Sequence, residues 1–243
     1  MMRIMIPAYN EAENLPALVD AIAKVLVAEP YRIYAINDGS ADDTGAVLET
    51  LAQEHPLTVR THQVNRGVAA TFRTGFAVVL ADAEDNDVVI LMEGDGTSTP
   101  ALLPKLRARI RNGADVVIAS RYQSGGGYKR FPLKRLVLSR GANVIFRLLF
   151  PIPNVQDYTI FYRAYRVPPL RAAVHAYGER FIESTTFLAN AEILLKLRPY
   201  LRHVEEVPLE YDYGKKRGKT GMKIWKNLRS YLVFIAQRGF RRT

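Results

Sequence analysis

The chain has 243 residues, 48% apolar and 24% charged, which is enough for one α/β domain with its own hydrophobic core. It contains no cysteine, which excludes disulfides, thiolate zinc sites and a cysteine nucleophile and makes the cytosol the default compartment. Lysine and arginine outnumber aspartate and glutamate by 34 to 24, and the resulting charge of +10 is typical of proteins with a polyanionic partner, such as nucleic acid, anionic lipid or a phosphorylated substrate.

The two halves of the chain differ in charge and pattern. Residues 1–120 are slightly acidic, whereas the basic residues are concentrated from Arg121 onward. Residues 1–7 are too short and too interrupted for a secretory leader and predict a first strand instead. No uncharged apolar run reaches the length of about 18 residues that a membrane span needs, so the sequence predicts no transmembrane helix.

Residues 3–120 alternate between strand-like and helix-like segments. Short β-branched apolar runs predict strands, and apolar residues three or four apart predict helices. The predicted strands are 3–8, 31–37, 57–62, 88–92 and 115–120, and the predicted helices are 13–28, 42–53, 68–81 and 100–112. Ser40 and Thr99 are candidate caps for two of these helices. This rhythm predicts an α/β fold with a mostly parallel, doubly wound sheet.

The pattern changes after residue 121. A serine followed by three glycines at 124–127 predicts a mobile loop or hinge. The later predicted elements are amphipathic helices over 132–150 and 182–197, a strand over 202–213, a loop rich in glycine and lysine over 213–223, and a helix over 224–240.

Two carboxylates follow the predicted strand 88–92. Glu93 and Asp95 have glycines between and after them, at the end of a buried strand where open α/β sheets bind ligands. Their oxygens suit Mg²⁺ or Mn²⁺, which in turn bridge a substrate diphosphate. When these residues are considered without the rest of the chain, the alternative to a metal site is an acidic surface turn.

Polar segments also follow the first two predicted strands. Pro7, Tyr9 and Glu11 come after the first, and Asp38 comes after the second. A carboxylate such as Asp38 can accept a hydrogen bond from a base or ribose. Taken singly, each segment is more often a turn with a helix cap, but three acidic turns on one rim favour a binding site.

Several motifs in order resemble family 2 glycosyltransferases. They are residues 6–11, 37–44, 65–70 with 75–76, and 115–122. The last motif and its following glycines narrow the resemblance to the branch of dolichyl-phosphate mannose synthases and polyprenyl-phosphate glycosyltransferases. Segments 157–159, 163–165, 206–209 and 218–220 extend it over roughly residues 3–225. The resemblance implies a GT-A fold forming one catalytic domain, 1–243, with a nucleotide-sugar-binding half, 1–122, and an acceptor-binding half, 123–243, that carries the amphipathic helices.

The same resemblance implies an inverting, metal-dependent transfer of a mannose- or glucose-type hexose from a GDP- or UDP-sugar to a polyprenyl or dolichyl phosphate. It implies that Mg²⁺ or Mn²⁺ is held by Glu93 and Asp95, and that catalysis involves Asp95, Arg121 and Asp157. The implied nucleotide-sugar contacts are Pro7, Tyr9, Glu11, Asp38, Gly67, Glu93 and Asp95. The implied acceptor or phosphate contacts are Arg121, Arg135, Ser139, Lys215, Arg217 and Lys219. A lipid phosphate is already anionic at neutral pH, so no general base is required.

The sequence departs from the family pattern at several positions. Glu93 stands where the first Asp of the metal motif is usual, and Asn37 replaces the first Asp of a pair. Thr97 stands where several lipid-phosphate enzymes have Gln, residues 160–162 replace Ser-Gly-Phe, and Gly221 replaces a usual Lys. These changes spare the nucleotide framework and leave the identity of the acceptor open.

Three other functions stay open at this point. One is transfer to a sugar or protein hydroxyl, which needs a base, and Asp157 is the candidate by residue type. Another is a degenerate relative that only binds nucleotide. The third is a nucleic-acid binder, motivated by the charge. Because no recognisable binding module is present, we expect no nucleic-acid partner.

The basic amphipathic stretch 132–150 has two interpretations. It is either an ordinary helix with solvated charges or a helix lying in a membrane interface, where anionic headgroups attract lysine and arginine. The aromatic residues of 224–240, Tyr231 and Phe234 among them, favour the second. The loop 213–223 is likewise either solvated or grips phosphate. We therefore expect a peripheral protein at the cytoplasmic face of a membrane, with a membrane-anchor partner or a homo-oligomer as further options.

Overall fold

The structure is a computed structural model that describes residues 1–217, 229–231 and 233–234. The strands are β1 (Met2–Ala8), β2 (Tyr31–Asn37), β3 (Leu57–Thr61), β4 (Val88–Leu91), β5 (Val116–Ser120), β6 (Gly127–Lys129), β7 (Arg163–Arg166), β8 (Val204–Pro208) and β9 (Glu210–Asp212). The α-helices are α1 (Leu15–Val25), α2 (Thr44–Glu54), α3 (Val68–Asp82), α4 (Leu103–Arg111), α5 (Leu133–Leu149), α6 (Val167–Tyr177) and α7 (Ala189–Leu197). A 3-10 turn, Pro100–Leu102, leads into α4.

Seven strands form one sheet in the order β3-β2-β1-β4-β7-β5-β8. The pairs among β1, β2, β3 and β4 are parallel, as is the pair of β5 with β8. Strand β7 runs antiparallel between β4 and β5. The prediction of an α/β fold with a mostly parallel sheet is therefore confirmed. Strands β6 and β9 form a separate two-stranded sheet.

Helices cover both faces of the central strands, whose residues are almost all buried. This explains why β1, β4 and β5 are continuous apolar runs rather than alternating ones. Helix α3 lies so close to β1 that a Cβ at Gly75 would collide with the side chain of Met5. The alternating order of strand and helix in residues 2–120 brings the carboxyl ends of these strands to one edge of the sheet.

Ser40 is not the cap of its helix, and Thr99 occupies the predicted cap position without a capping hydrogen bond. Helix α2 begins at Thr44, and the hydroxyl of Ser40 instead donates to Asn37 Oδ1 at 2.6 Å, which closes the turn after β2. Thr99 precedes the 3-10 turn, but its side chain makes no capping hydrogen bond. Short polar side chains compete for turns as well as for caps, so the residue type alone does not separate the two.

Three predictions for the second half also need correction. The predicted helix 182–197 begins only at Ala189, because Glu192 Oε2 accepts hydrogen bonds from the backbone N–H groups of residues 183 and 184 and so holds that segment as a turn. The predicted strand 202–213 divides at Leu209 into β8 and β9, which belong to different sheets. The predicted hinge 124–127 runs into β6 at Gly127, whose N–H donates to Leu209 O at 3.0 Å.

The predicted helix 224–240 lies largely outside the described residues, although 229–231 and 233–234 are helical. The rings of Tyr231 and Phe234 pack on Phe146 of α5, with centroid distances of 5.7 and 6.3 Å. These two aromatic residues therefore face the protein and add nothing to a membrane-facing surface. Among the helices of the described ranges, none combines the length and the apolar character needed to cross a membrane.

Candidate active site

The sheet topology brings the predicted site segments to one rim. Parallel strands β1, β2, β4 and β5 all end there, and antiparallel β7 starts there, so the preceding segment 157–162 joins the rim. Strand β8 is parallel to β5 and ends at the same side, where β9 and residues 213–217 follow. In open α/β sheets this carboxyl rim is where ligands bind.

The turn after β4 lies tightly against the end of β1. A Cβ at Gly94 would lie 2.9 Å from the carbonyl oxygen of Pro7, and Gly96 has a φ of 76°. Both positions therefore suit glycine, one because the backbones approach closely and the other because its dihedral is left-handed. The two glycines let the Glu93 and Asp95 carboxylates leave the same short turn.

Asp95 has partners on both carboxylate oxygens. Its Oδ1 accepts a hydrogen bond from Thr97 N at 3.2 Å, and its Oδ2 accepts one from Lys216 Nζ at 2.7 Å. Lys216 Nζ also lies 3.8 Å from Glu11 Oε1. Burial lowers the pKa of Lys216, but the charge of Asp95 outweighs this and keeps that pKa above its ordinary value. A cation is thus seated among the carboxylates of the rim.

Two carboxyl groups of the rim are hard to ionise. Burial, followed by the charge of Asp95, raises the pKa of Glu93 to about 7, although Ser98 donates a hydrogen bond to it. Burial likewise raises the pKa of Glu11 to about 7, against the opposing effects of Lys216 and Asn14. Raised carboxyl pKa values of this kind are common at functional sites.

We expect Glu93→Gln to raise the melting temperature of the metal-free protein near about pH 8 and to raise it much less near about pH 5. The folded-state pKa of Glu93 is raised from 4.5 to about 7, so its stabilising contribution is complete below the lower value and is lost as pH rises through the upper one. Gln cannot ionise and avoids that loss, with about 2–4 °C gained for each kcal/mol. Differential scanning fluorimetry in EDTA measures the shift, and exposed Glu210→Gln serves as the control. Equal melting temperatures for wild type and Glu93→Gln at both pH values would contradict the raised pKa.

Arg121 and Asp157 form a buried, bidentate ion pair beside the acidic turn. Arg121 Nε and Nη2 each donate to an Asp157 oxygen at 2.7 Å, and Arg121 Nη2 also donates to Thr159 Oγ1 at 2.8 Å. The Arg121 guanidinium lies 5.2 Å from the ring centre of Tyr128 and 5.7 Å from that of Tyr211. Burial alone would raise the pKa of Asp157, but Arg121 holds it below its ordinary value. Asp157 is therefore an anchoring anion rather than a ready proton acceptor.

A hydroxyl and amide network joins this pair to α5. Ser139 Oγ lies 3.0 Å from Tyr122 Oη and 3.2 Å from Tyr128 Oη. Asn143 Nδ2 donates to Thr159 Oγ1 at 3.0 Å. Ser139 and Asn143 are one helical turn apart, so the same face of α5 closes the site.

Asp38 holds backbone groups at the end of β2. Its two oxygens accept hydrogen bonds from Arg66 N at 2.9 Å and Gly67 N at 2.7 Å, and Oδ1 lies 2.7 Å from His62 Nδ1. Gly67 has a φ of 84° at the start of α3. Asp38 thus fixes the loop before α3 against the rim.

The remaining predicted residues differ in their placement. Arg135 Nη1 donates to Tyr213 Oη at 3.0 Å, which brings α5 and the loop after β9 together. Tyr9 is 42% exposed, and Lys215 and Arg217 are exposed. Lys219 lies outside the described residues.

Sequence reasoning did not single out several groups that build this site. Lys216 was one of several similar lysines, and no residue pattern distinguished it from its neighbours. Asn143 did leave a signal, since it is a polar residue on the buried side of amphipathic α5, 2% exposed and three residues before buried Phe146. His62 and Ser98 became visible only through their contacts with Asp38 and Glu93.

The donor set fits a hard divalent cation. Glu93 and Asp95 supply carboxylate oxygens, and Asp95 already binds one cationic group, the Lys216 ammonium. Within residues 1–217 and the described helical residues beyond them, no group of three or more His, Cys, Asp or Glu side chains converges as a complete metal site. A cation at this turn would therefore need further ligands from a bound substrate or water.

The sequence profile of Glycosyl transferase family 2 matches residues 3–173. The chain belongs to this family. It is a glycosyltransferase, and the predicted resemblance is confirmed. It is 31% identical to polyprenol monophosphomannose synthase of Mycolicibacterium smegmatis over 98% of this chain and 86% of that protein. It is 29% identical to dolichol-phosphate mannosyltransferase of Pyrococcus furiosus, over 96% of this chain but 62% of that protein. It is 32% identical to undecaprenyl-phosphate mannosyltransferase of Micrococcus luteus, over 76% and 77% of the two chains.

Solved structures with low sequence identity to this chain share its fold. Glucosyl-3-phosphoglycerate synthase from Mycobacterium tuberculosis, solved with Mn²⁺, UDP and glucosyl-3-phosphoglycerate, matches with a TM-score of 0.66 and 16% identity, over 95% of this chain and 75% of that one. S. aureus TarS matches with a TM-score of 0.58 and 17% identity, over 87% and 59% of the two chains. The glycosyltransferase therefore has the GT-A fold, as the sequence predicted.

Proposed function

We propose that this glycosyltransferase moves a mannose- or glucose-type hexose from a GDP- or UDP-hexose to a polyprenyl or dolichyl phosphate at a membrane surface, with inversion at the anomeric carbon. The three relatives support this, because their names join mannose to a polyprenol, dolichol or undecaprenyl carrier. We further propose that residues 1–243 form one catalytic domain, in which 1–122 bind the nucleotide sugar and 123–243 bind the acceptor.

The observation that carries the proposal is the two-sided character of α5. Its inner face brings Arg135 and Ser139 to the rim. Its outer face exposes large apolar side chains, namely Leu133, Val137, Val144, Ile145, Leu148 and Leu149. Exposed basic residues, Lys134, Arg140 and Arg147, lie among them. A helix of this kind suits the interface of an anionic membrane and would hold the site at the depth of a lipid headgroup.

The donor would lie along the carboxyl rim. Pro7, Tyr9, Glu11, Asp38 and Gly67 lie at the ends of β1 and β2 or at the start of α3, a suitable wall for the nucleoside. Glu93 and Asp95 would hold Mg²⁺ or Mn²⁺, which when bound supplies a Lewis acid that neutralises charge on the departing diphosphate.

The acceptor phosphate would lie between the Arg121 pair and α5, where Arg135 and Ser139 can bind it. Cationic side chains favour phosphate over neutral groups. An anionic phosphate oxygen can attack the anomeric carbon without deprotonation. This suits a rim in which Asp157 is already paired with Arg121 and has a lowered pKa. The same pairing argues against a hydroxyl acceptor that would use Asp157 as its base.

We expect Leu148→Asp to weaken binding to anionic phospholipid vesicles by about tenfold, as measured by co-sedimentation. The change removes one large apolar side chain that would otherwise be buried in the membrane. Leu148 is 75% exposed on α5. Val27→Asp is the matched control, since Val27 is 88% exposed but lies just beyond α1 rather than on α5. Equal vesicle binding by the two variants would argue against α5 as the membrane-facing helix.

The decisive experiment measures transfer from labelled GDP-mannose, UDP-glucose and related donors to a short polyprenyl phosphate, with Mn²⁺ or Mg²⁺ and with EDTA. We expect label in the lipid extract only with metal, with one preferred donor, and none with phosphate-free polyprenol. Absence of transfer from every donor, or transfer to a hydroxyl acceptor instead, would overturn the proposal and favour a degenerate enzyme or another acceptor class.

A further inference from the structure

The segment after β9 is anchored at both ends over the acidic turn. At its start, Gly214 N donates to Asp212 Oδ1 at 3.0 Å, which forms the 3-10 turn Tyr213–Lys215. At its far end, Arg217 O accepts a hydrogen bond from Asn14 Nδ2 at 3.3 Å. Between these two contacts, the side chain of Lys216 faces the rim.

Lys216 is the inward-facing basic residue of this described segment. Its side chain is 12% exposed, whereas Lys215 and Arg217 are exposed. It donates to Asp95 Oδ2 at 2.7 Å and lies 3.8 Å from Glu11 Oε1, and both of these carboxylate side chains are 14% exposed. With so little solvent access, the Lys216 ammonium depends on these carboxyl groups, Asp95 above all, for its compensating charge.

We propose that Lys216 is a placeholder cation, which occupies the metal-binding carboxylate in the donor-free protein and transfers to the donor diphosphate when a divalent cation arrives. This inference rests on the proposed function, since it assigns a further role to the same site. In this role, Lys216 governs the order in which metal and nucleoside diphosphate bind.

Competition follows from charge and from geometry. A divalent cation needs the Asp95 oxygen that now accepts a hydrogen bond from Lys216, and two cations on one carboxylate repel each other. The ammonium must therefore give up Asp95 when metal binds. Metal alone offers the displaced ammonium no new partner, but a metal-bound diphosphate brings phosphate oxygens that can replace the lost carboxylate.

Two opposite effects are expected from Lys216→Met. Without nucleotide, the variant should bind Mn²⁺ roughly fivefold or more tightly than wild type, because its competitor has been removed. With Mn²⁺ present, the same variant should bind a nucleoside diphosphate roughly fivefold or more weakly, because the displaced ammonium no longer reaches the phosphates. A residue that only supported the fold would not change the two affinities in opposite directions.

The experiment titrates Mn²⁺ into the full-length protein and follows the electron paramagnetic resonance signal of the free ion, first alone and then with GDP or UDP. Calorimetry then measures binding of the nucleotide at saturating Mn²⁺. Lys129→Met is the matched control, because it also removes one positive charge but from a side chain that is 56% exposed and paired with Glu210. We expect its Mn²⁺ affinity to stay within about twofold of wild type.

A second readout detects the lysine contact without metal. In EDTA, Lys216→Met should lower the melting temperature more than Lys129→Met does, because Asp95 and Glu11 lose their shared cation. Adding Mn²⁺ should then stabilise Lys216→Met more than it stabilises wild type. If both lysine variants bind Mn²⁺ alike, the placeholder role is wrong even when wild type binds metal and nucleotide. If wild type binds no Mn²⁺ with any nucleotide, the metal dependence in the proposed function fails as well.

Discussion

Asp95→Asn should reduce glycosyl transfer by more than about a hundredfold while leaving the protein folded. The amide keeps the shape of the side chain, and its oxygen can still accept a hydrogen bond from Thr97 N. The substitution removes the carboxylate charge that now binds Lys216 and that the proposed metal site would require. A divalent cation that stabilises a departing diphosphate contributes several kcal/mol to the transition state, so loss of a ligand with full charge has a large effect.

The measurement compares initial rates of transfer to polyprenyl phosphate at saturating Mn²⁺ and repeats the Mn²⁺ titration on the same protein. Asp85→Asn is the matched control, because Asp85 is 68% exposed and paired with Arg171 at the surface. We expect that control to transfer at the wild-type rate. A near-normal rate in Asp95→Asn would mean that the turn after β4 is not the metal site.

The first half of the fold could be predicted because each element there is encoded locally. Strand 31–37 was predicted with the bounds that the structure has, and the helix and strand order up to residue 120 was also confirmed. Once that order is known, parallel pairing places the segments after β1, β2 and β4 on one rim. The positions of Glu11, Asp38 and Glu93 at one edge therefore followed from topology.

The second half could not be predicted in the same way, because its structure depends on distant contacts. Strand β7 begins with Arg163, a residue type that is almost never fully buried, yet Arg163 is 1% exposed and donates to the carbonyl oxygens of Tyr158 and Asn190. Nothing near Arg163 in the sequence indicates these acceptors. Its strand inserts antiparallel between β4 and β5, a departure from the regular alternation that no local pattern encodes.

The role of Asp157 illustrates the same limit within the site. By residue type it was a candidate base, and its sequence neighbours say nothing about its charge state. Its partner Arg121 is 36 residues away, and only the fold shows that the two side chains form a bidentate pair. Likewise, only the path of the chain after β9 selects Lys216, rather than Lys215, for contact with Asp95. The role of a residue could be predicted where the strand order alone fixes its position. It could not be predicted where a charge distant in the sequence determines its protonation state.

Arg121→Ala should destabilise the protein by about 3–5 kcal/mol, because it leaves the Asp157 carboxylate buried without its countercharge. Asp157 has no solvent-exposed side-chain surface and would have to take up a proton or admit water. For a protein of this length, the expected fall in melting temperature is roughly 6–20 °C. Scanning calorimetry measures it. Arg130→Ala is the matched control, since its ion pair with Asp212 lies at the surface with Arg130 66% exposed, and it should leave the melting temperature nearly unchanged.

The double variant Arg121→Met with Asp157→Asn separates stability from catalysis. It removes both charges of this pair, so neither member is left buried without its countercharge, and we expect it to recover much of the stability that Arg121→Ala loses. If the proposed function is right, transfer activity should not recover, because the acceptor phosphate would still lack the positive charge of Arg121 beside Arg135. If stability and activity return together, the ion pair serves the fold alone. If neither returns, the aromatic groups around Arg121, Tyr128 and Tyr211 among them, require the guanidinium itself for their packing.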